Sequence, residues 1–192
     1  MLRFFLILNL LPGFVTLHAQ KLNGKIHLGL SETEGINKVR VEVDGFSTQF
    51  TDELGKFTLD LFGTARGTMV ELDVYKEGFA VINREALRPR IPDRDTERLH
   101  LYLCPKSERQ SLSLQYYKLQ VTRTIDRNYQ EEAKILADQM NYEAIAELTR
   151  KKETAEKMAD SLAARLSRFD PAQSSNELTR AMQLYQEGKV DE

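Results

Sequence analysis

The stretch from Val39 to Leu61, VRVEVDGFSTQFTDELGKFTLDL, restricts the fold more than any other part of the chain. Val39, Val41 and Val43 alternate with Arg40, Glu42 and Asp44, the two-residue period of a strand with one buried face. Phe57, Leu59 and Leu61 alternate with Thr58 and Asp60 in the same way. Between these runs, Thr51-Asp52-Glu53-Leu54-Gly55-Lys56-Phe57 carries the chemistry of a tight turn. The Asp52 carboxylate can accept backbone N–H bonds two or three residues on, and Gly55 can take φ > 0 without steric cost. Strand, turn, strand is expected, with Phe57 entering the core.

The same alternation recurs on both sides. Ile26, Leu28 and Leu30 alternate with Lys25, His27 and Gly29. Val70, Leu72 and Val74 alternate with Glu71, Asp73 and Tyr75, and Phe79 to Ile82 can continue after a kink at Glu77-Gly78. Leu99, Leu101 and Leu103 alternate with Arg98, His100 and Tyr102, and Pro105 ends that run. Pro89 and Pro92 rule out a central strand between Leu87 and Asp95. Short strands punctuated by Gly, Pro and Asp, with no helical period among them, predict an all-β sandwich over residues 21–105. At about 25 cal/mol per Å² of apolar surface, such a core can hold a domain of this size without disulfides.

The order GKIHLGL, INKVRVEVDGFSTQFTDELGKFTLDL, VELDVYKEGF, LHLYLCP resembles the carboxypeptidase regulatory-like domain. That family is a transthyretin-like (prealbumin-like) β-sandwich of about seven strands, common in exported proteins of Bacteroidetes-type bacteria. The resemblance covers about 80 residues and is most specific at Thr51-Asp52-Glu53-x-Gly55-x-Phe57 and Tyr75-x-x-Gly78-Phe79. It implies an accessory module with no catalytic residues of its own.

After Pro105 the period lengthens, and residues 107–170 are expected to form an amphipathic helical region. Ser111 to Val121 reads two ways: Leu112 and Leu114 alternate like a strand, while Leu114, Tyr117 and Val121 suit a helix. The helical stripe is clearer at Ile125, Tyr129, Leu136 and Met140, then Ile145, Leu148, Ala155, Met158, Leu162, Leu166 and Phe169. Asp170-Pro171 stops the helix. Residues 174–192, with Ala181, Leu184, Tyr185 and Gly188, resemble an incomplete first helix of a tetratricopeptide repeat. One such helix cannot bury its apolar face alone, so a fragment or truncated gene product is expected, with repeats beyond Glu192; a plain amphipathic tail helix is the alternative.

The amino terminus, residues 1–19, has a single positive charge at Arg3, an apolar run from Phe4 to Leu11, a break at Pro12-Gly13 and a close on Leu17-His18-Ala19. This is the pattern of a secretory signal peptide cleaved after Ala19; an uncleaved amino-terminal anchor is the alternative. No cysteine stands at the cleavage point, so a lipoprotein anchor is not expected. The protein is placed in the periplasm or cell envelope, or secreted.

The net charge of −2 argues against a nucleic-acid protein held by a strong positive field. Lys151-Lys152 reads as a solvated helix face. The single cysteine, Cys104, excludes an internal disulfide and falls at the outward step of its strand; a reactive thiol would need an activating base, and none is near in sequence. After removal of the leader only His27 and His100 remain, and they are expected far apart on separate strands. Asp52-Glu53 falls short of the six to eight oxygens that calcium takes. Glu131-Glu132, Glu143 and Glu147 read as solvated, in i,i+4 pairs with bases such as Lys151. No catalytic, cofactor-binding or metal-binding residue is therefore assigned, and no cofactor is expected.

These features predict a non-enzymatic exported protein that meets a protein partner through its helical region. A carbohydrate-binding accessory module and a peptidase accessory domain are the alternatives; Tyr75 and Tyr102 stand as single strand residues rather than a sugar platform. Intact-mass analysis of the protein recovered from its native compartment is expected to give a chain beginning at Gln20.

Overall fold

The computed structural model describes residues 20–46, 48–94 and 98–168. The expected leader (1–19) and repeat-like helix (174–192) lie outside the described residues. Among the described residues, seven strands precede two long helices. The strands are β1 (Gln20–Leu28), β2 (Arg40–Val43), β3 (Gln49–Phe50), β4 (Lys56–Leu61), β5 (Leu72–Tyr75), β6 (Phe79–Val81) and β7 (Arg98–Pro105). They form a four-stranded sheet, β4-β1-β7-β6, and a three-stranded antiparallel sheet, β3-β2-β5. The larger sheet is mixed: β1 runs antiparallel to β4 but parallel to β7.

One apolar core joins the two sheets. Leu22 and Ile26 of β1, Leu59 and Leu61 of β4 and Leu101 and Leu103 of β7 meet Val41 and Val43 of β2 and Leu72 of β5. The alternation read from the sequence sets this face for β2, β4 and β7. In β1 the large apolar residues buried are Leu22 and Ile26, whereas Leu28 is 38% exposed and Leu30 lies past the strand end. The inward position between Leu22 and Ile26 is Gly24, which hides the apolar period from a sequence reading. Gly24 faces Phe57 in register, and a methyl group there would collide with the Phe57 ring.

The turn before β4 holds the rim of this core. Asp52 Oδ1 accepts from the Leu54 N–H (2.9 Å) and the Lys56 N–H (2.7 Å). Gly55 has φ +76°, and its carbonyl accepts from the Ile26 N–H at 2.8 Å. A side chain at Gly55 would meet the Ile26 carbonyl, so backbone conformation and space both require glycine. The buried Thr51 hydroxyl donates to the Ile36 carbonyl (2.7 Å) and accepts from the Val39 N–H (3.0 Å), tying the turn to the approach of β2.

The ambiguous stretch Ser111 to Val121 is helical. It belongs to α1 (Arg109–Asp138), which buries Ser113, Tyr117 and Val121 at four-residue spacing while Leu114 stays exposed. Helix α2 (Tyr142–Ser167) returns antiparallel, after a link in which Met140 takes φ +54° and Asn141 Oδ1 caps the Ala144 N–H. Polar pairs mark the register: Lys118 with Asp160 (2.7 Å), Asp126 with Lys152 (2.8 Å) and Tyr129 with Thr149 (3.2 Å). Of the helical stripe expected from sequence, Leu148 and Leu166 are buried, but Met140 and Met158 are 77% and 65% exposed. Ala159 and Ala163 take the inward positions instead. Small side chains let the helices approach closely, so the seam follows alanines that a reading weighted toward large residues passes over.

Phe57→Ala is expected to lower stability by about 3–5 kcal/mol, the range for a buried aromatic truncated to alanine. Gly55→Ala is expected to cost more than about 1 kcal/mol, since the native φ is unsuited to alanine. Chemical denaturation of the two variants checks both values.

Candidate functional site

A polar and aromatic cluster lies where the first half of α1 meets the outer face of the four-stranded sheet. Parallel pairing of β1 with β7 sets His27 opposite Tyr102 and Lys25 opposite His100. His27 Nε2 lies 2.9 Å from His100 Nδ1, and one ring donates while the other accepts. The expectation that these histidines lie far apart is overturned. They are distant along the chain, but the strands that carry them are nearest neighbours in the sheet. His27 is buried at 2% exposure, while His100 is open to solvent.

From this pair a run of rings leads into the helix. His27 stacks on Tyr102 (4.9 Å between centroids), Tyr102 meets Tyr116 of α1 at 5.3 Å, and Tyr116 packs edge-on against Tyr117 at 5.2 Å. Such contacts add to area burial by about 0.5–1.5 kcal/mol each. Polar bonds fix the same seam. The Ser113 hydroxyl donates to the Ile82 carbonyl at 3.1 Å. The Tyr117 hydroxyl donates to the Glu85 carboxylate, which a short 3-10 turn at Arg84–Leu87 presents. Asn83, buried just before that turn, donates to the His100 carbonyl and accepts from the Tyr102 N–H, both at 2.9 Å. Farther out, Arg123 and Glu32 form an exposed ion pair at 3.9 Å.

Burial shapes the protonation of these groups. The Glu85 carboxyl is pushed up to about 7 from its ordinary 4.5 by burial, with the Tyr117 hydrogen bond pulling the other way. The Tyr116 and Tyr117 hydroxyls are raised, first by burial and then by the nearby Glu85 charge. His27 is lowered by burial, then by the charges of Lys25 and His100. Its Nδ1 is enclosed without a hydrogen-bond partner, which makes a charged ring there costly.

Most of these polar groups hold one another. His27 engages His100, Tyr117 engages Glu85, and Asn83 engages the backbone of β7. The arrangement suits a docking seam that fixes the helix on the sheet. Among the described residues, no group of three or more His, Cys, Asp or Glu side chains is placed to hold a metal ion. Cys104 does step away from the core shared by the two sheets, but it is fully buried, and burial raises its thiol above the usual range. Asp52 caps its turn, and Glu147 pairs with Lys151 at 3.6 Å. Tyr75 is not isolated: Arg40 lies over its ring at 5.3 Å. Glu85, Asn83 and the Tyr116-Tyr117 pair carried no local signal of their role; only the position of α1 gives them one.

The chain matches no family model, no curated protein and no solved structure. No helix among the described residues is long and apolar enough to cross a membrane.

The sign of the pH effect follows from the directions of the shifts. Glu85 is raised, so its contribution is full below pH 4.5 and is lost as pH rises through about 7. His27 is lowered, so its contribution is full above 6.5 and is lost as pH falls. The two oppose each other in the same window. Glu85→Gln keeps an acceptor for Tyr117 and removes only the first effect. Relative to the native protein, this variant is expected to gain stability from pH 5 to pH 7.5, measured by denaturation at both values.

Proposed function

We propose that this chain is a non-enzymatic protein of the cell envelope that holds a protein partner on its helical hairpin. In this reading the β region is a transthyretin-type sandwich of the carboxypeptidase regulatory-like kind, serving as the base. The observation that carries the proposal is the exposure of the hairpin tip. Helix α1 has 30 residues, about 45 Å of rise. Among the described residues, Ser113, Tyr116, Tyr117 and Arg123, in its first half, make contacts that tie it to the β region. At the far end Ile135, Met140 and Tyr142 are 57%, 77% and 73% exposed.

Aromatic residues and Met are enriched in protein interfaces. Four exposed acids (Glu131, Glu132, Asp138 and Glu143) and one lysine, Lys134, flank this apolar tip, while Glu147 pairs with Lys151. A partner presenting an apolar pocket with a basic rim fits it. An antiparallel helix pair is also the unit from which helical repeat arrays are stacked, which agrees with the repeat-like segment that follows in sequence. The export pattern at the amino terminus supplies the compartment.

A photo-crosslinking residue in place of Tyr142 is expected to form one discrete protein adduct in the producing cells. The same residue at the exposed turn position Glu53 is expected to give none. Absence of an adduct from the tip would remove the proposal.

A further inference from the structure

A second surface lies on the other sheet, away from the seam with α1. In the three-stranded sheet Arg40 is in register with Phe50 on one side and Tyr75 on the other. Because Val41 and Val43 point into the core, this row faces outward. Phe50 is 64% exposed and Tyr75 53%. The row lines an open groove of about 450 Å³ together with Lys38, Lys76 and Glu77.

Two aromatic rings thus flank a guanidinium across three strands. At two strand spacings the rings are about 10 Å apart, roughly the length of a disaccharide. Asp73 holds one terminal nitrogen of Arg40 at 2.8 Å, and Glu42 lies 4.0 Å from Arg40 Nε. That Nε is enclosed and makes no hydrogen bond. Lys76 Nζ donates to the Asn37 carbonyl at 2.9 Å, which keeps its charge beside the groove. Lys38 stands in the left-handed region, φ +53°, a conformation that a residue with a side chain seldom adopts. One acid, Glu77, lines the groove, and Asp73 and Glu42 are already turned to Arg40, so a negatively charged group would be met by Lys38, Lys76 and the remaining terminal nitrogen of Arg40.

We propose that this groove binds a carboxylated oligosaccharide, with sugar faces against Phe50 and Tyr75 and a carboxylate between them at Arg40, Lys38 and Lys76. A neutral glycan would leave the cations unused. An acidic peptide fits less well, because the edge strands of this sheet, β3 and β5, are two and four residues long and offer little backbone edge for an added strand. The proposal is independent of the hairpin reading, since it uses the opposite sheet.

The test is calorimetric titration of the full chain with short oligomers of galacturonate, glucuronate and mannuronate. A neutral cello-oligosaccharide and polyglutamate serve as comparisons. At least one carboxylated oligosaccharide is expected to bind, more weakly as salt rises, and the neutral one is not. Phe50→Ala and Tyr75→Ala are each expected to weaken binding about tenfold or more, with circular dichroism unchanged. Arg40→Gln is expected to weaken binding and reduce the salt dependence, which Lys38 and Lys76 still support. The proposal is overturned if no carboxylated oligosaccharide binds, if the folded aromatic variants bind as the native chain does, or if polyglutamate binds as tightly.

Discussion

Parallel pairing of β1 with β7 places the first and last strands side by side at the centre of the four-stranded sheet. The remainder of the architecture follows from that contact. On one face it brings Ile26, Leu101 and Leu103 together, the floor on which the three-stranded sheet packs. On the other face it brings His27, His100 and Tyr102 together, the surface on which α1 lies. Parallel strands cannot be joined by a tight hairpin. The intervening chain therefore makes a long excursion, which here includes β4 on one side of the pair and β6 on the other. Loss of this pairing would separate the core from the seam.

The two sides of the pair carry different chemistry because they meet different neighbours. Toward the three-stranded sheet the neighbours are aliphatic, and burial alone stabilises the contact. Toward α1 the neighbours are tyrosines, a serine, an asparagine and a carboxylate; Ser113, Asn83, Tyr117 and Glu85 are each bonded to a specific atom. A polar seam of this kind fixes the angle at which the helix leaves the sheet, because its hydrogen bonds are directional. The stability of the seam depends on protonation, through Glu85 on one side and His27 on the other. The hairpin is thus held at its base and open at its tip, while the groove around Arg40 occupies the far face of the other sheet.

Much of this was legible from local pattern where one residue type did one job. Asp52 and Gly55 announced their turn because a capping carboxylate and a φ > 0 position are local requirements. Val41, Val43, Leu59 and Leu61 announced their buried face because alternation alone sets it. The pattern failed where a small residue took an inward place. Gly24 concealed the register of β1, and Ala159 with Ala163 moved the helical seam away from Met158. Small side chains bury little area and leave little trace in a hydrophobic period, yet close packing depends on them.

By itself the amino-acid sequence determined the elements: short alternating strands, a capped turn, and a change to helical period after Pro105, each set by interactions within a few residues. The tertiary structure alone decided which elements became neighbours. It joined His27 to His100, set Glu85 under Tyr117, and aligned Phe50, Arg40 and Tyr75 in one row. Those contacts join residues on separate elements, and their geometry comes from strand order and helix docking. Strand order is chosen by the whole core at once, so no short stretch of the chain encodes it.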